Sequence, residues 1–376
     1  MTIEYQKKSD AGGNLHRVLD LSGKMVSQPN RSKFDYKDSP REKQTSNMLM
    51  LFLVMLLATL LAACVPVPAA ETASQSATDA TTTENSDAAM TATETDGSSL
   101  PRAMQDIDGN EVVIEDDSRI VALGGPVTEI VFALGAGERV VAVDTSSGYP
   151  ESVKELPQVG YQRRISAEPI LAMNPTLILA TEEAGPPEAI QQLKDSGVTV
   201  LVLPREDTIE GAKEKIRRFA QALGLEAKGE DLIAQMEADL AEAAAVLAQV
   251  DQAPTVMFIY ARGADSVSAA GTDTGAAAMI ELAGAVNAIS EYEGYKPLTA
   301  ESAVTAAPDV LLLFTSGLQS VGGAEGLLGI PGLAQTPAGA EQAVIDMDGL
   351  YLTGFGPRTG KAVKELVYQL HPELKP

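Results

Sequence analysis

The sequence contains no tryptophan, a single cysteine and only two histidines among its 376 residues. The two histidines, His16 and His371, lie near the ends of the chain, which excludes a metal site built from several imidazoles. Their positions also leave the interior without the general base of a Ser/His/Asp set, so no hydrolase of that kind is predicted. The single cysteine, Cys64, cannot form an intramolecular disulfide.

Positive charge is also scarce, because 28 Lys and Arg residues face 52 Asp and Glu residues and leave a formal net charge of −24. Such a balance repels nucleic acid, so no nucleic-acid partner is expected. The segment "RIVALGG" precedes a helical pattern but lacks the G-x-G-x-x-G spacing of a dinucleotide loop. Together these absences favour a binding protein over an enzyme.

Cys64 ends the most apolar stretch of the chain, "MLMLFLVMLLATLLAAC". This stretch resembles the signal peptide and lipobox of a bacterial lipoprotein, in which the cysteine is acylated and becomes the new N-terminus. The alternative is a transmembrane anchor, for which the apolar run is short. We therefore predict a leader and lipoprotein signal peptide over 1–63 and lipidation of Cys64. Residues 64–100, rich in Ser, Thr, Ala and Asp, are predicted to be a disordered tether.

Beyond the tether, short apolar strands alternate with helical patterns, which predicts an α/β fold with mainly parallel sheets. A first set of strands is predicted at "RIVAL", "RVVAV", "TLILA" and "VTVLVL", and a second at "TVMFIYA", "SVSAA", "DVLLLF" and "AVIDM". Between the sets runs a long amphipathic pattern with Leu232, Met236, Leu240 and Leu247 on one stripe. We predict two Rossmann-like lobes over 101–224 and 253–376, joined by one long helix within 225–252.

The two halves also repeat a motif. "GYQRRISAEPILAMNPTLIL" begins at Gly160 and "GYKPLTAESAVTAAPDVLLL" begins at Gly294. Both run Gly-Tyr, then Ala-Glu, then a proline seven residues after the glutamate, then an apolar strand, if one residue is gapped. The repeat predicts two equivalent loops that face each other across a cleft, where ligands commonly bind.

Residues 119–372 resemble the heme-binding branch of the helix-linked substrate-binding lipoproteins, a class that supplies ABC importers with vitamin B12, siderophores or heme. The resemblance rests on five stretches: "RIVALGGPVTEIVFALGAGERVVAVD", "LPQVGYQRRISAEPIL", "EEAGPPEAIQQLKDSGV", "EGYKPLTAES" and "GLYLTGFGPRTGKAV". It implies an extracytoplasmic protein, anchored to the cell membrane by lipid. Such a protein captures heme between its lobes and delivers it to an ABC permease dimer with its ATPase subunits.

The resemblance also implies axial ligands of the heme iron at Tyr161 and Tyr260, and leaves open whether one or both bind. Tyrosine is an attested axial ligand of heme. Residues two apart on a strand point the same way, so Arg262 is expected beside the Tyr260 ring, where a guanidinium favours the phenolate. Tyr295 is the next candidate in the cleft. Tyr149, Tyr292 and Tyr351 are assigned equally to the cleft and to packing of their own lobes.

Basic residues beside these tyrosines are the expected partners of the heme propionates, because a guanidinium pairs well with a carboxylate. The candidates are Arg163, Arg164 and Lys296; one of the two arginines is expected to act, and the alternative is that both only offset the acidic surface. Glu168 and Glu301 occupy matching positions of the repeat near helix starts, where a carboxylate also complements the helix dipole. The resemblance implies that each docks to an arginine of the permease dimer.

Three alternatives remain at this point. Siderophore and cobalamin binders share the fold, but their pockets tend to use tryptophan, which this chain lacks. A direct ferric-iron site formed by several phenolates would use Tyr161, Tyr260 and Tyr295. A secreted enzyme is the third, and the sequence contains no catalytic set that supports it.

Overall fold

The computed structural model describes residues 99–375, which form two α/β lobes. The first lobe contains a fully parallel sheet of four strands in the order β4-β3-β5-β6, preceded by the antiparallel hairpin β1–β2. Its strands are β1 (Arg102–Gln105), β2 (Glu111–Ile114), β3 (Ile120–Leu123), β4 (Val140–Val143), β5 (Leu177–Thr181) and β6 (Thr199–Leu203). Every residue of β3 and β5 is buried, as expected for parallel strands covered on both faces.

Four helices cover this sheet: α1 (Gly125–Ala133), α2 (Ala167–Leu171), α3 (Pro187–Asp195) and α4 (Ile209–Leu223). Alternate residues of β3 and β5 belong to different cores. Ile120 and Leu177 pack in a cluster that includes α1 and α4, whereas Val121 and Ile178 pack on the α2 and α3 side. The alternation follows from the two-residue period of a strand.

The long helix α5 (Glu226–Leu247) has 22 residues and spans about 33 Å at 1.5 Å per residue. Its buried stripe includes Ile233, Met236 and Ala243, so it is rotated by about one residue from the predicted leucine stripe, whose members other than Met236 are half-buried. The helix packs on α4 of the first lobe and on the last helix of the second. The boundaries of the two lobes and of the linking helix, 101–224, 225–252 and 253–376, stay predictions from the sequence.

The second lobe contains a mixed sheet in the order β10-β8-β7-β11-β12, with β9 also paired to β7. Strands β7, β9, β11 and β12 are parallel, β8 pairs antiparallel with β7, and β10 pairs antiparallel with β8 at the edge. The strands are β7 (Thr255–Ala261), β8 (Val267–Ala270), β9 (Val286–Asn287), β10 (Tyr295–Pro297), β11 (Val310–Phe314) and β12 (Val344–Met347).

The helices of the second lobe are short except for the last. They are α6 (Gly275–Leu282), α7 (Ala300–Ala306), α8 (Thr315–Ser320), α9 (Gly323–Leu328), α10 (Pro337–Glu341), α11 (Gly349–Thr353) and α12 (Thr359–Leu370). Helix α12 lies against α5 so closely that a Cβ on Gly360 would stand 2.5 Å from the Met236 carbonyl oxygen. Lys364 of α12 reinforces this contact with ion pairs to Asp239 at 2.6 Å and Glu242 at 2.9 Å.

A buried ion pair also joins the two lobes directly. Arg358, at the start of α12, donates from Nε and Nη2 to both carboxylate oxygens of Glu129 on α1, each at 2.8 Å. The Glu129 side chain is only 4% exposed. The Arg358 guanidinium also lies 3.6 Å from the Tyr149 ring centre and 4.9 Å from that of Tyr351. The two tyrosines therefore enclose the arginine that connects the lobes.

No helix within residues 99–375 has the length and apolar character needed to cross a membrane.

Candidate functional site

Tyr260 lies near the end of β7 and on the same face of the sheet as Phe258. The β7–β8 hairpin holds it in register opposite Ser268. The next residue on that face is Arg262, whose Nε donates a hydrogen bond of 2.6 Å to the phenol oxygen of Tyr260. The guanidinium carbon lies 5.3 Å from the ring centre. The two-residue spacing thus brings this pair together as expected from the strand geometry.

The Tyr260 ring is part of an aromatic cluster with Phe258, Tyr295 and Phe314. The ring centre of Tyr260 lies 5.8 Å from Tyr295 and 6.0 Å from Phe314, in tilted and edge-to-face arrangements. Phe258 contacts Phe314 at 4.9 Å. Such pairs gain free energy beyond the burial of their area, so the cluster forms a fixed aromatic wall.

Tyr295 differs from Tyr260 in its electrostatic surroundings. Tyr295 is 46% exposed, but partial desolvation by the surrounding protein and the nearby Asp207 carboxylate raise the pKa of its phenol, and the Arg205 guanidinium opposes them. Because a raised pKa favours the protonated form, Tyr295 is a neutral phenol at pH 7. It can therefore donate a hydrogen bond or stack, but it is a poor source of a phenolate.

Tyr161 lies in a loop of the first lobe, with its side chain 42% exposed. The following residues, Gln162–Arg164, form a short 3-10 turn. The buried Asp144 carboxylate anchors this turn by accepting a 3.2 Å hydrogen bond from the Gln162 backbone N–H. The backbone on either side of Tyr161 is therefore fixed while its ring stays accessible.

A cavity of about 280 Å³ lies between the lobes at Tyr161. Its first-lobe wall includes Tyr161, Arg163 and Arg205, and its second-lobe wall includes Phe314 and Leu350. Because Phe314 contacts the Tyr260 ring, the cavity joins the loop of Tyr161 to the aromatic cluster of the second lobe. Of the two sequence-predicted tyrosines, Tyr161 therefore lines this cavity, and Tyr260 lies behind Phe314 of its opposite wall.

The basic candidates are distributed unevenly. Arg163 forms an ion pair with Glu183 in the cavity wall, and Arg164 is exposed beside it. Lys296 lies on the opposite face of β10 from Tyr295, with its ammonium 4.4 Å from the centre of the Tyr292 ring. The structure therefore does not bring Lys296 to the face that presents Tyr260 and Tyr295, because neighbouring residues of a strand point to opposite sides.

Sequence reasoning missed three charged residues of the cleft: Glu183, Arg205 and Asp207. Arg205 donates to Glu183 and, through Nε and Nη2, to the two oxygens of Asp207 at 2.8 and 3.0 Å. Glu183 follows β5 and Arg205 follows β6, and these strands are parallel neighbours. Charged residues within two positions after predicted parallel strands are the signal that would have placed Glu183 and Arg205 at the carboxyl edge of the sheet, although not beside each other.

The remaining tyrosine candidates, Tyr149, Tyr292 and Tyr351, have partners outside this cavity, and Tyr149 is 43% exposed. Tyr149 and Tyr351 enclose Arg358, and the phenol of Tyr292 donates a 3.1 Å hydrogen bond to the Ala269 carbonyl.

Glu168 and Glu301 are exposed in the first turns of α2 and α7. The leader, Cys64 and the tether up to residue 98 lie outside the described residues. Among residues 99–375, no group of three or more His, Cys, Asp or Glu side chains is placed to hold a metal ion.

Comparison with known proteins gives a consistent family, and the similar proteins include both vitamin B12-binding proteins, such as one from Pectobacterium carotovorum subsp. carotovorum (strain PC1) that is 34% identical over 102 residues, and heme-binding proteins. The profile of the periplasmic binding protein family matches residues 120–350. YvrC of Bacillus subtilis (strain 168), an uncharacterized ABC transporter substrate-binding lipoprotein, is 30% identical over 280 residues, which cover 73% of this chain and 87% of YvrC.

Two solved structures have a higher sequence identity to this chain than YvrC has. The periplasmic heme-binding protein RhuT from Roseiflexus sp. RS-1, in its apo form, is 46% identical with a TM-score of 0.67, covering 69% of this chain and all of RhuT. The periplasmic heme-binding protein BhuT, in complex with two hemes, is 43% identical with a TM-score of 0.65, covering 68% of this chain and 99% of BhuT.

Proposed function

The chain belongs to the periplasmic binding protein family, and we propose that it captures heme in the cleft between its lobes and delivers it to an ABC importer. Membership of this family makes the protein an extracytoplasmic substrate carrier with an ABC importer as its partner, rather than a secreted enzyme. The observation that carries the heme proposal is the Tyr260–Arg262 pair, whose tyrosine contacts Phe314 in the wall of the cavity that Tyr161 lines.

The chemistry of the pair suits ferric heme. A phenolate is a hard anionic ligand for Fe(III), and tyrosine is an attested axial ligand. The Arg262 Nε–H already donates a charge-assisted hydrogen bond to the Tyr260 oxygen, and this contact becomes an ion pair once the phenol ionises on the metal. Tyr161 offers a second phenol from the other lobe. The rings of Phe314 and Tyr295 supply an apolar wall for the porphyrin.

Heme fits this cleft better than the alternatives on the same fold. A ferric-iron site would need several phenolates close together, whereas in the part of the chain that the structure describes Tyr260 alone among Tyr161, Tyr260 and Tyr295 accepts a hydrogen bond from an arginine. Siderophore and cobalamin lack the flat aromatic macrocycle that an aromatic wall and facing tyrosines accommodate. The relatives RhuT and BhuT, at 46% and 43% identity, are both heme-binding proteins.

The visible spectrum of the full-length protein in mild detergent, titrated with hemin, tests this proposal. We expect a Soret band with a phenolate-to-iron charge-transfer band. Tyr260→Phe should weaken binding at least tenfold, and combining it with Tyr161→Phe should remove the charge-transfer band. Tyr368→Phe, on the last helix and outside the cleft, is the matched control. An unchanged spectrum and affinity in the double variant would exclude both tyrosines as ligands.

Arg262→Ala separates the role of the arginine from that of the ligand. It should retain the Soret band but shift the charge-transfer band and make it more sensitive to pH, because the phenolate loses its charge-assisted hydrogen bond. Tyr295→Phe should change hemin affinity less than about twofold, since a neutral phenol at the wall contributes mainly its ring. A large loss in Tyr295→Phe with none in Tyr260→Phe would reassign the ligand to Tyr295.

Docking to the permease dimer and its ATPase subunits is proposed through Glu168 and Glu301. Both are exposed on short helices of the two lobes, and a ligand-binding protein with two similar lobes matches a twofold partner. Reversing both charges to arginine should abolish heme uptake by cells while leaving hemin affinity unchanged. Glu188→Arg with Glu341→Arg reverses two other exposed charges and serves as the control. Normal uptake in the Glu168/Glu301 double variant would contradict this docking surface.

Attachment to the membrane is proposed through acylation of Cys64, as the lipobox resemblance implies. Cys64→Ala should release the protein from the membrane fraction and remove the mass of the acyl chains from the mature chain. Persistence of Cys64→Ala in the membrane fraction, with no acyl mass on the wild type, would favour a transmembrane anchor instead.

A further inference from the structure

Two arginines in the cavity wall converge on one oxygen of an internal carboxylate. Nη2 of Arg163 and Nη1 of Arg205 both donate to Oε1 of Glu183. The Glu183 side chain is 13% exposed, and all three residues line the cavity that contains Tyr161. Two guanidiniums that meet at a single carboxylate oxygen form a carboxylate-binding site, and in this structure Glu183 occupies it.

The two arginines are held differently. Arg205 has a second anchor, because Asp207 accepts bidentate hydrogen bonds from its Nε and Nη2. Its guanidinium therefore stays oriented towards the cavity if Glu183 leaves. Arg163 is 54% exposed, and among the described residues its ion-pair partner is Glu183. It can follow an incoming carboxylate with little cost in packing.

We propose that a heme propionate takes the place of Glu183 between Arg163 and Arg205, so that Glu183 acts as an internal competitor and Arg205 as a propionate-binding residue. This inference rests on the proposed function and adds two residues to it. The exchange replaces one carboxylate by another, so the guanidiniums are paired in both states, and the displaced Glu183 side chain has to turn towards solvent because a buried carboxylate without a partner is costly. Only a ligand that brings its own carboxylate can make the exchange.

A competitor of this kind lowers affinity in a way that depends on the ligand. Removing the negative charge of Glu183 frees both guanidiniums for the propionate, so affinity for hemin rises. The same change has little effect on a porphyrin whose propionates are esterified, because an ester cannot form the ion pair. Loss of Arg205 has the opposite effect on hemin, because one of the two donors is gone.

The test is a hemin titration of the full-length protein, repeated with hemin dimethyl ester. Glu183→Gln keeps the size of the side chain and should tighten hemin binding about tenfold, while ester binding changes less than twofold. Arg205→Gln should weaken hemin binding about tenfold with a small effect on the ester. The control is Glu182→Gln, because the neighbouring Glu182 accepts only a 2.8 Å hydrogen bond from the Arg205 backbone N–H among the described contacts.

The possible outcomes separate this inference from the proposed function. Unchanged or weaker hemin binding in Glu183→Gln, with intact tyrosine-dependent spectra, would overturn the competitor role and leave heme capture standing. Equal affinity of the wild type for hemin and its dimethyl ester would overturn the propionate site in the same way. Absence of any Soret band in the wild type would overturn both. Circular dichroism and urea unfolding of each variant identify a folding defect, in which case Glu183→Asp, which retracts the carboxylate from the arginines, should also tighten hemin binding.

Discussion

The two lobes repeat the same sequence landmarks but present different chemistry to the cleft. Gly160 and Gly294 both have positive φ, +105° and +72°, and each is followed by a tyrosine. After Tyr161 the chain enters a 3-10 turn with two arginines, whereas Tyr295 begins β10, which pairs with β8. The repeat thus preserves the glycine turn, and the residues after the turn decide which groups face a ligand.

The difference arises from the length of the central strand in each lobe. Strand β3 ends at Leu123 and leads through Gly124 directly into α1. Strand β7 instead continues to Ala261 and turns back into β8. That extension places Tyr260 at the rim of the cleft with Arg262 beside it. The first lobe therefore contributes a loop with arginines, and the second contributes a strand-borne tyrosine in an aromatic wall.

The largest expected effect on stability comes from removing the ion pair between Glu129 and Arg358, which joins the two lobes. Arg358→Met leaves the Glu129 carboxylate buried without its partner, which costs about 3–5 kcal/mol in the free energy of unfolding. Urea unfolding at pH 7 measures this loss. The double variant Glu129→Gln with Arg358→Met removes both charges and should recover much of it. Equal stability of Arg358→Met and the wild type would show that the lobes are held together without this pair.

Parts of the fold and site follow from local sequence patterns, and other parts depend on tertiary pairing. The position of Arg262 beside Tyr260 follows from strand periodicity alone. The opposite orientation of Lys296 could not be predicted, because "YEGYKPL" has no strand pattern and β10 forms only by pairing with β8. The meeting of Glu183 with Arg205 depends on β5 and β6 being neighbours, which the sequence does not specify.

The first lobe also differs from the second in containing a buried lysine. Lys215 is the only buried lysine within residues 99–375. Lys215 on α4 is 3% exposed, and burial together with Arg205 lowers its pKa to about 8, against the opposing effects of Asp207 and Glu183. The side chains of Glu206, Glu214 and Arg218 lie around the same small cavity. Keeping this ammonium charged in the folded state is therefore costly at neutral pH.

Lys215→Met should stabilise the protein at pH 7 by up to roughly 3 kcal/mol, the free energy that corresponds to the lowered pKa. The gain is complete only well below pH 8, where Lys215 is protonated in both the folded and the unfolded chain. The stability difference between Lys215→Met and the wild type declines between pH 8 and about 10.5. In this range the unfolded wild-type chain binds more protons than the folded one, so the wild type becomes more stable as the pH rises. Urea unfolding across this range checks the trend, with the exposed Lys228→Met as control. A pH-independent difference would contradict the assignment to Lys215 ionisation.

The smallest expected effect compares the two repeated glycines directly. A Cβ on Gly160 or Gly294 would meet nothing within 4 Å, so substitution by alanine tests the backbone conformation alone. Gly294, at φ +72°, is close to the left-handed helical region, where alanine costs about 1 kcal/mol. Gly160, at φ +105°, lies farther from any conformation that alanine adopts readily, and the cost should be about 2 kcal/mol. Urea unfolding ranks the two substitutions. Gly148→Ala is the neutral reference, because a Cβ there also meets nothing within 4 Å and Gly148 lacks a positive φ.

Because Gly160 directly precedes Tyr161, its substitution should also weaken hemin binding more than that of Gly294. Equal effects of the two substitutions on both measurements would mean that the glycine turns are interchangeable, and that the asymmetry of the cleft resides only in the side chains that follow them.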